Sequence, residues 1–426
     1  MSAIEHVSFR ATELLRFITA GSVDDGKSTL IGRLLHDSKA IFEDQLNAIE
    51  KTTQKRGSSG VDLSLLTDGL QAEREQGITI DVAYRYFSTP RRKFIIADTP
   101  GHEQYTRNMV TGASTANLAV ILIDARKGVL IQSRRHAFLA SLVGIPHLVV
   151  AVNKMDLVGW SQDVFSTIRA EFAVFAQRLG LKDITYIPLS ALLGDMVVER
   201  GDNLGWYDGP ALMECLESIE IAHDINERDF RFPVQWVCRP HDPAFHDYRG
   251  YAGRVESGAI QVGDQVTVLP SGMTSTVAQI VTLDGDVARA IAPQSVQLTL
   301  DDPLDVSRGD MIVKSDDPPR ITKEFNAHIC WFDAQPLDLS RKYLIKQTTR
   351  TVKALVAGIA HKVDVNTLER HQATSLRFNE IARVSIRTQQ PLFIDAYASN
   401  RATGSFIIID ETTNNTVAAG MIEDNP

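Results

Sequence analysis

The sequence predicts an α/β domain with a doubly wound, mostly parallel sheet, followed by two antiparallel β domains. Three observations support this fold class. In the first half, short apolar runs alternate with helix-like stretches, which is typical of parallel sheets. From Phe232 onward, short alternating strands and recurring turn signals replace the helices, as in an antiparallel barrel or sandwich. A polar, proline-rich stretch at residues 315–319 then divides this second half.

The apolar runs of the first half are almost continuous, as expected for strands buried on both faces. These runs cover residues 17–20, 94–97, 118–123, 147–152 and 185–188. We predict helices between them at residues 27–36, 103–113, 133–143 and 162–179. Strands beyond the proline-rich stretch are expected at residues 325–331, 347–357, 376–386 and 405–409. The predicted domains therefore span residues 1–226, 227–318 and 319–426.

Composition excludes several classes of protein. Acidic residues outnumber basic ones by 53 to 44, for a net charge of −9, which argues against a general nucleic-acid coat or adhesion to anionic membranes. Three widely spaced cysteines without a CxxC pair predict neither a disulfide framework nor a zinc site. The first twenty residues have no apolar core of the kind a signal peptide needs. We expect a soluble, cytoplasmic protein.

A phosphate-binding loop follows the first predicted strand. The motif G-x4-G-K-[ST] is matched in full by Gly21, Ser22, Val23, Asp24, Asp25, Gly26, Lys27 and Ser28. Its backbone N–H groups and the following helix N-terminus can bind phosphate. Lys27 would contact the β- and γ-phosphates and the Ser28 hydroxyl would ligate Mg²⁺. Thr29 in the same helical turn completes the predicted loop site.

A second motif predicts that the nucleotide is GTP. The fourth apolar run is followed by Asn153, Lys154, Met155 and Asp156. An aspartate here can accept hydrogen bonds from the N1–H and the exocyclic amine of guanine, whereas adenine would leave the carboxylate unpaired. The Lys154 stem can cover the face of the base. Taken alone the motif is also compatible with a polar loop at a strand end, but behind a phosphate loop it predicts guanine.

The third element follows another apolar run and contains Asp98, Thr99, Pro100, Gly101 and His102. Asp98 would hold Mg²⁺ through water, and the Gly101 N–H would reach the γ-phosphate. His102 is either a surface histidine at a helix start or the residue that positions the attacking water.

Two weaker signals complete the set. Thr79 lies in a polar segment suited to a mobile switch, where it would complete the Mg²⁺ shell when the γ-phosphate is present. The last short strand is followed by Ser190, Ala191 and Leu192, whose backbone would contact the guanine oxygen. The predicted catalytic residues are therefore Lys27, Thr79, Gly101 and His102.

These five elements, in this order and followed by two β domains, resemble the translation-factor class of GTPases. Within that class, residues 21–35, 68–79 and 125–129 look most like the GTP-binding large subunit of bacterial heterodimeric sulfate adenylyltransferase. Elongation factors usually carry His at the position of Ser22 and Arg at the position of Gln76. Both departures weaken the resemblance to a tRNA carrier.

The resemblance implies an elongation-factor-like fold in which both β domains are barrels. It also implies a smaller catalytic partner, which would bind ATP and sulfate and form adenosine 5′-phosphosulfate and pyrophosphate while this chain hydrolyses GTP with Mg²⁺. By the same analogy, Val23 and Ile78 would form a hydrophobic gate beside His102. Because the chain contains one phosphate loop only, we expect no adenosine 5′-phosphosulfate kinase in it.

Two alternative functions remain at this point. An elongation-factor-like carrier of aminoacyl-tRNA is favoured by a basic stretch without acids, which contains Arg341, Lys342, Lys346, Arg350 and Lys353. Such runs are more often a solvated strand face. A regulatory GTPase without coupled chemistry is the other alternative. Adenylyl transfer by a subunit pair, without nucleic acid or membrane as partners, remains the preferred hypothesis.

Overall fold

The computed structural model of the chain describes residues 14–39, 63, 81–100, 106–221, 226–240, 248–365 and 367–424. The chain divides into two compact units, Met1–Ile221 and Ala222–Pro426. The second unit contains two separate seven-stranded sheets. The three domains with the boundaries given above stay a prediction. Among the described residues, no helix is long and apolar enough to cross a membrane.

A six-stranded sheet forms the centre of the first unit. Its strands are β1 (Leu14–Gly21), β2 (Ala83–Ser88), β3 (Lys93–Asp98), β4 (Leu118–Asp124), β5 (His147–Asn153) and β6 (Asp183–Pro188). Their order is β2-β3-β1-β4-β5-β6. β2 pairs antiparallel with β3, whereas the other neighbours are parallel. All seven residues of β4 are buried, as its continuous apolar sequence predicts.

The described helices of this unit are α1 (Lys27–Asp37), α2 (Thr106–Ala113), α3 (Ile131–Leu142), α4 (Gln162–Arg178) and α5 (Leu212–Ser218). The sequence predicts α1, α3 and α4 to within two residues, and residues 103–105 of the second predicted helix lie outside the described residues. α4 begins directly after Ser161, whose side chain accepts a hydrogen bond from the Val164 N–H at 3.3 Å. This N-cap satisfies a backbone donor at the helix start. The antiparallel strand β2 and the helix α5 were not predicted.

The first sheet of the second unit closes into a barrel. Its strands are β7 (Arg231–Cys238), β8 (Gly250–Arg254), β10 (Gln265–Leu269), β11 (Met273–Thr282), β12 (Gly285–Val287), β14 (Ser295–Leu300) and β15 (Met311–Lys314). Two short strands, β9 (Ala259–Gln261) and β13 (Arg289–Ile291), pair separately. The sheet closes because β10 pairs with both β15 and β11. Closure removes exposed sheet edges, and the interior is filled by apolar side chains such as Phe232, Val266 and Leu298.

The second sheet of this unit also closes. Its strands are β16 (Arg320–Trp331), β17 (Lys342–Gln347), β18 (Arg350–Val363), β19 (Arg370–His371), β20 (Ile381–Ile394), β21 (Ser405–Ile409) and β22 (Thr416–Ile422). The barrel closes through the β17–β18 pairing. The strand predicted at 325–331 begins five residues earlier, at Arg320, and two other predicted strands include turn residues. The run at 347–357 crosses a tight turn at Thr348, where φ is +48°, and the run at 376–386 includes a turn at Asn379, where φ is +63°.

A buried arginine joins the two barrels of the second unit. Arg231 at the start of β7 is 2% exposed, and its Nε and Nη2 atoms each donate to the Asp395 carboxylate at 2.9 Å. Its Nη1 atom donates to the carbonyl oxygen of Asp317 at 2.9 Å. A buried charge is tolerated only when it is paired and hydrogen-bonded in this way.

Candidate functional site

The motif residues that the structure describes lie at or directly after the carboxyl ends of strands in the first sheet. β1 ends at Gly21, β3 at Asp98, β5 at Asn153 and β6 at Pro188. Because these strands are parallel, their carboxyl ends meet at one edge of the sheet. That edge is where open α/β sheets bind ligands.

The phosphate loop closes around the side chain of Lys27. Its Nζ atom donates to the carbonyl oxygens of Gly21 and Ser22, both at 3.0 Å. The Ser22 N–H donates to Asp25 Oδ2 at 2.7 Å. Gly26 has φ of +94°, and a Cβ atom there would lie 2.5 Å from Asn153 Nδ2, so glycine is required. α1 begins immediately afterward at Lys27, which directs its positive dipole end toward the loop.

Two charged groups of this loop are buried together. Asp25 is 1% exposed and Lys27 is 7% exposed. Burial raises the pKa of Asp25, although the Ser22 N–H and the Lys27 charge oppose that shift. Burial lowers the pKa of Lys27, and the negative charges of Asp98 and Asp25 oppose that shift. The Lys27 Nζ atom, which donates to two carbonyl oxygens of the loop, is the group predicted to neutralise a bound phosphate.

The side chain of Asn153 connects three of the predicted motifs. Its Nδ2 atom donates to the Asp25 carbonyl oxygen at 2.7 Å. Its Oδ1 atom accepts from the Ala191 N–H at 2.9 Å and from the Lys154 N–H at 2.8 Å. The structure thus brings the phosphate loop, the 153–156 motif and the 190–192 stretch together. The Ser190 N–H is bonded within its own loop, to the Asp195 carbonyl oxygen at 3.1 Å, and the Leu192 side chain is exposed.

Lys154 and Asp156 have the geometry expected of a base site. Lys154 Nζ donates to the carbonyl oxygen of Asp24 and lies 3.1 Å from the Asp124 carboxylate. Met155 is buried and begins a short 3₁₀ helix, Met155–Val158. The Asp156 Oδ1 atom in this helix is buried and has no hydrogen-bond partner among the described residues. A buried carboxylate oxygen of this kind requires a donor, and guanine offers two.

The end of β3 and the first turn of α1 provide two of the oxygen-bearing side chains predicted for Mg²⁺, Asp98 and Ser28. Asp98 is 2% exposed and accepts a hydrogen bond from Thr19 Oγ1 at 3.2 Å. Thr99 Oγ1 donates to the Thr19 carbonyl oxygen at 2.6 Å, which fixes the start of the loop after β3. Ser28 is half-buried in the first turn of α1. One carboxylate and one hydroxyl fit the preference of Mg²⁺ for oxygen ligands and retained waters.

Part of the predicted site lies outside the described residues. This part includes Thr79, Gly101 and His102, together with the gate residue Ile78. The other gate residue, Val23, is half-buried in the phosphate loop, and Pro100 is buried after β3. The described residues include those predicted for the phosphate and base subsites, and both these subsites and the hydrolytic half of the site stay predictions.

The sequence analysis did not single out Thr19 and Asp124, which lie near the carboxyl ends of β1 and β4, or His136, which is buried in α3. Thr19 holds the β3 loop, as described above, and Asp124 pairs with Lys154. His136 in α3 is 4% exposed, and burial, followed by the charge of Lys27, lowers its pKa to about 3. Asp124 had a usable signal, because it is an acidic residue at the carboxyl end of an otherwise apolar strand. Thr19 and His136 had no comparable signal in the sequence.

Two domain families match the chain. The family described as "Elongation factor Tu GTP binding domain" matches residues 12–222. The family described as "GTP-eEF1A C-terminal domain-like" matches residues 324–423. The GTP-binding assignment agrees with the geometry of the phosphate loop and of Asp156. The fold prediction is confirmed, with an α/β GTPase domain and barrels of the elongation-factor type.

Curated proteins give a narrower assignment. "Sulfate adenylyltransferase subunit 1" of Alteromonas mediterranea is 58% identical over 414 residues, which cover 97% of this chain and 87% of that protein. "Bifunctional enzyme CysN/CysC" of Mycobacterium tuberculosis is 60% identical over 413 residues, covering 96% and 67%. A solved structure, the GTPase-like domain of Saccharomyces cerevisiae Ski7 bound to GDP and inorganic phosphate, shares the fold at 18% identity and a TM-score of 0.53, covering 97% of this chain and 98% of that chain. The predicted resemblance to the GTP-binding large subunit is thus confirmed, and the chain belongs to the family of sulfate adenylyltransferase subunit 1.

Proposed function

We propose that this chain binds and hydrolyses GTP, and that the hydrolysis drives synthesis of adenosine 5′-phosphosulfate and pyrophosphate from ATP and sulfate. Adenylyl transfer itself takes place on a smaller partner subunit. The observation that carries the nucleotide assignment is the buried Asp156 Oδ1 atom, which has no hydrogen-bond partner in the described part of the chain. It lies at the same sheet edge as a phosphate loop closed by Lys27. The family assignment supports the adenylyltransferase part.

Different described residues bind the phosphates, the base and the Mg²⁺ of the nucleotide. Lys27 and the N-terminus of α1 neutralise the phosphates. Asp156 accepts hydrogen bonds from guanine, and Lys154, which is tied to the carbonyl oxygen of Asp24, covers the base. Ser28 and, through water, Asp98 hold Mg²⁺, which supplies charge neutralisation at the β- and γ-phosphates when it is bound.

Hydrolysis requires residues that we assign from the sequence. His102 positions the attacking water, and the Gly101 N–H and Thr79 contact the γ-phosphate side of the site. All three are expected to respond to the presence of the γ-phosphate, because such loops are ordered by it and released on hydrolysis. This response is the step that transmits GTP hydrolysis to the partner.

The partner assignment rests on the name of the relatives and on the assignment of this chain's phosphate loop to GTP. "Subunit 1" implies at least one further subunit in those enzymes. Adenylyl transfer needs groups that hold sulfate next to the ATP α-phosphate, and the phosphate loop of this chain is used by GTP. We also infer a cytoplasmic location, which the sparse and widely spaced cysteines support.

The structure weakens the alternative of a tRNA carrier. Its best support is the basic stretch at residues 341–353, but Arg341 lies 2.7 Å from Asp410 and Lys353 lies 2.6 Å from Glu411. Arg350 donates to the Pro391 carbonyl oxygen at 3.1 Å and stacks 5.0 Å from the centre of the Phe393 ring. Most of these cations are thus already engaged within the barrel.

Co-purification separates the candidate functions. The full chain is expressed in a bacterial host with an affinity tag, and the bound material is analysed for protein, RNA and nucleotide. A smaller protein subunit together with guanine nucleotide supports the proposal. Bound tRNA would indicate the carrier function, and guanine nucleotide without any partner would indicate a regulatory GTPase.

A further inference from the structure

We propose that Asp124 is a positioning residue of the guanine site, which acts by holding Lys154 and Arg126 in place. The inference rests on the proposed function, because it concerns how the same site binds GTP. It also gives a role to the stretch at residues 125–129, which resembles the family but has no part in the five nucleotide motifs.

The Asp124 carboxylate is the centre of a dense set of hydrogen bonds. It lies at the carboxyl end of β4, and its side chain is 0% exposed. Oδ1 accepts from the Arg126 N–H and from Arg126 Nε, both at 3.0 Å. Oδ2 accepts from Arg126 Nη2 at 2.6 Å and lies 3.1 Å from Lys154 Nζ. Burial alone would raise the pKa of Asp124, but these donors hold it well below its usual value.

Of the two cations held by Asp124, Lys154 also contacts the phosphate loop. Lys154 has φ of +64°, and its Nζ atom also donates to the Asp24 carbonyl oxygen in the phosphate loop. Arg126 is exposed on its outer side, and its pKa is raised first by Asp124 and additionally by the charge of Asp156. Asp124 is therefore linked to the phosphate loop through Lys154.

The physical consequence concerns affinity rather than chemistry. A lysine side chain has large rotamer entropy, so an unpaired Lys154 would have to be ordered each time that GTP binds. The fixed Asp124 carboxylate orders it in advance, and preorganisation of this kind increases affinity. The residues assigned to hydrolysis are not contacted by Asp124 among its described partners, so the rate at saturating GTP should change little.

A double-mutant cycle tests this role. Asp124→Asn, Lys154→Met and the double variant of the full chain are titrated with N-methylanthraniloyl-GDP, and both the dissociation constant and the number of sites per chain are measured. Glu171→Gln is the matched control, since this exposed carboxylate pairs with Arg134 at 2.8 Å away from the nucleotide site. We expect Asp124→Asn to weaken binding by about tenfold or more, as for loss of hydrogen bonds to a charged group. The number of sites should stay at that of the wild type.

The cycle also distinguishes positioning from a purely structural role. In the Lys154→Met background, Asp124→Asn should weaken binding by less than about threefold, because contacting residues are not additive. An undiminished effect in that background, or a loss of sites at unchanged affinity, would overturn the inference.

If the Asp124→Asn variant does not fold, the Arg126→Gln variant is measured instead. It should release the nucleotide faster than the wild type, and an unchanged release rate would overturn the inference. Failure of the wild type to bind guanine nucleotide would instead refute the proposed function.

Discussion

The side-chain amide of Asn153 donates a hydrogen bond to the backbone carbonyl oxygen of Asp25 at 2.7 Å. The two residues are 128 positions apart in the sequence, and this contact joins the base motif to the phosphate loop. The same side chain accepts from the Ala191 N–H at 2.9 Å. One buried amide therefore fixes the spacing between the loop predicted to bind the phosphates and the motif predicted to bind the base.

Removing this amide should loosen both subsites. Asn153→Ala leaves the Asp25 carbonyl oxygen and the Ala191 N–H without their partner, which is expected to lower the free energy of unfolding by about 1–3 kcal/mol. Guanine nucleotide affinity should fall as well. Urea denaturation and titration with fluorescent GDP measure the two effects. Wild-type values in both would show that the contact does not organise the site.

Base recognition is tested by Asp156→Asn. An amide presents a donor where guanine needs an acceptor, so we expect GTP binding to weaken by about 2 kcal/mol or more. Xanthine carries an oxygen in place of the exocyclic amine, so XTP should bind more tightly to the variant than to the wild type. Competition binding with GTP and XTP measures both changes. Unchanged GTP affinity without a gain for XTP would contradict the assignment of Asp156.

His102 is expected to act on hydrolysis and not on binding. Its imidazole would position the attacking water, so His102→Ala should reduce turnover by about 10²-fold or more, a typical loss for a general acid–base group. Nucleotide affinity should stay near the wild-type value. Single-turnover GTP hydrolysis separates the two quantities, and a normal rate in the variant would remove His102 from the mechanism.

The buried His136 predicts a pH dependence of stability. Its folded-state pKa is lowered to about 3 by burial first and by Lys27 second, whereas an unfolded histidine titrates near ~6.5. Between these values the unfolded chain binds a proton that the folded chain does not. Stability from this group therefore falls as the pH is lowered through this window, by up to about 1.4 kcal/mol per pH unit.

Replacing His136 isolates this contribution. His136→Gln should flatten the dependence of the unfolding free energy on pH between about 6.5 and 3, relative to the wild type. His371→Gln is the control, because His371 is exposed on β19. Urea denaturation at a series of pH values gives both slopes. Equal slopes for His136→Gln and the wild type would show that His136 titrates normally.

Sequence reasoning reached the parts of the site that local chemistry dictates. The phosphate loop needs glycine at Gly26 and a lysine directly after it, so the motif specifies the structure by itself. Asp124 was missed because its proposed role depends on contacts with Arg126 and Lys154, and the second contact spans 30 positions that only the sheet brings together. The limits of β18 and β20 were missed because the turns at Thr348 and Asn379 carry no glycine or proline.

In the proposed function, GTP hydrolysis on this chain drives adenylyl transfer on a smaller subunit. Pyrophosphate release from ATP and sulfate tests it most directly, measured with the purified chain alone and with its partner, each with and without GTP. We expect release only from the pair, with GTP increasing the amount formed and the partner accelerating GTP hydrolysis. Sulfate-dependent pyrophosphate release by the chain alone, or release by the pair that does not respond to GTP, would contradict the account.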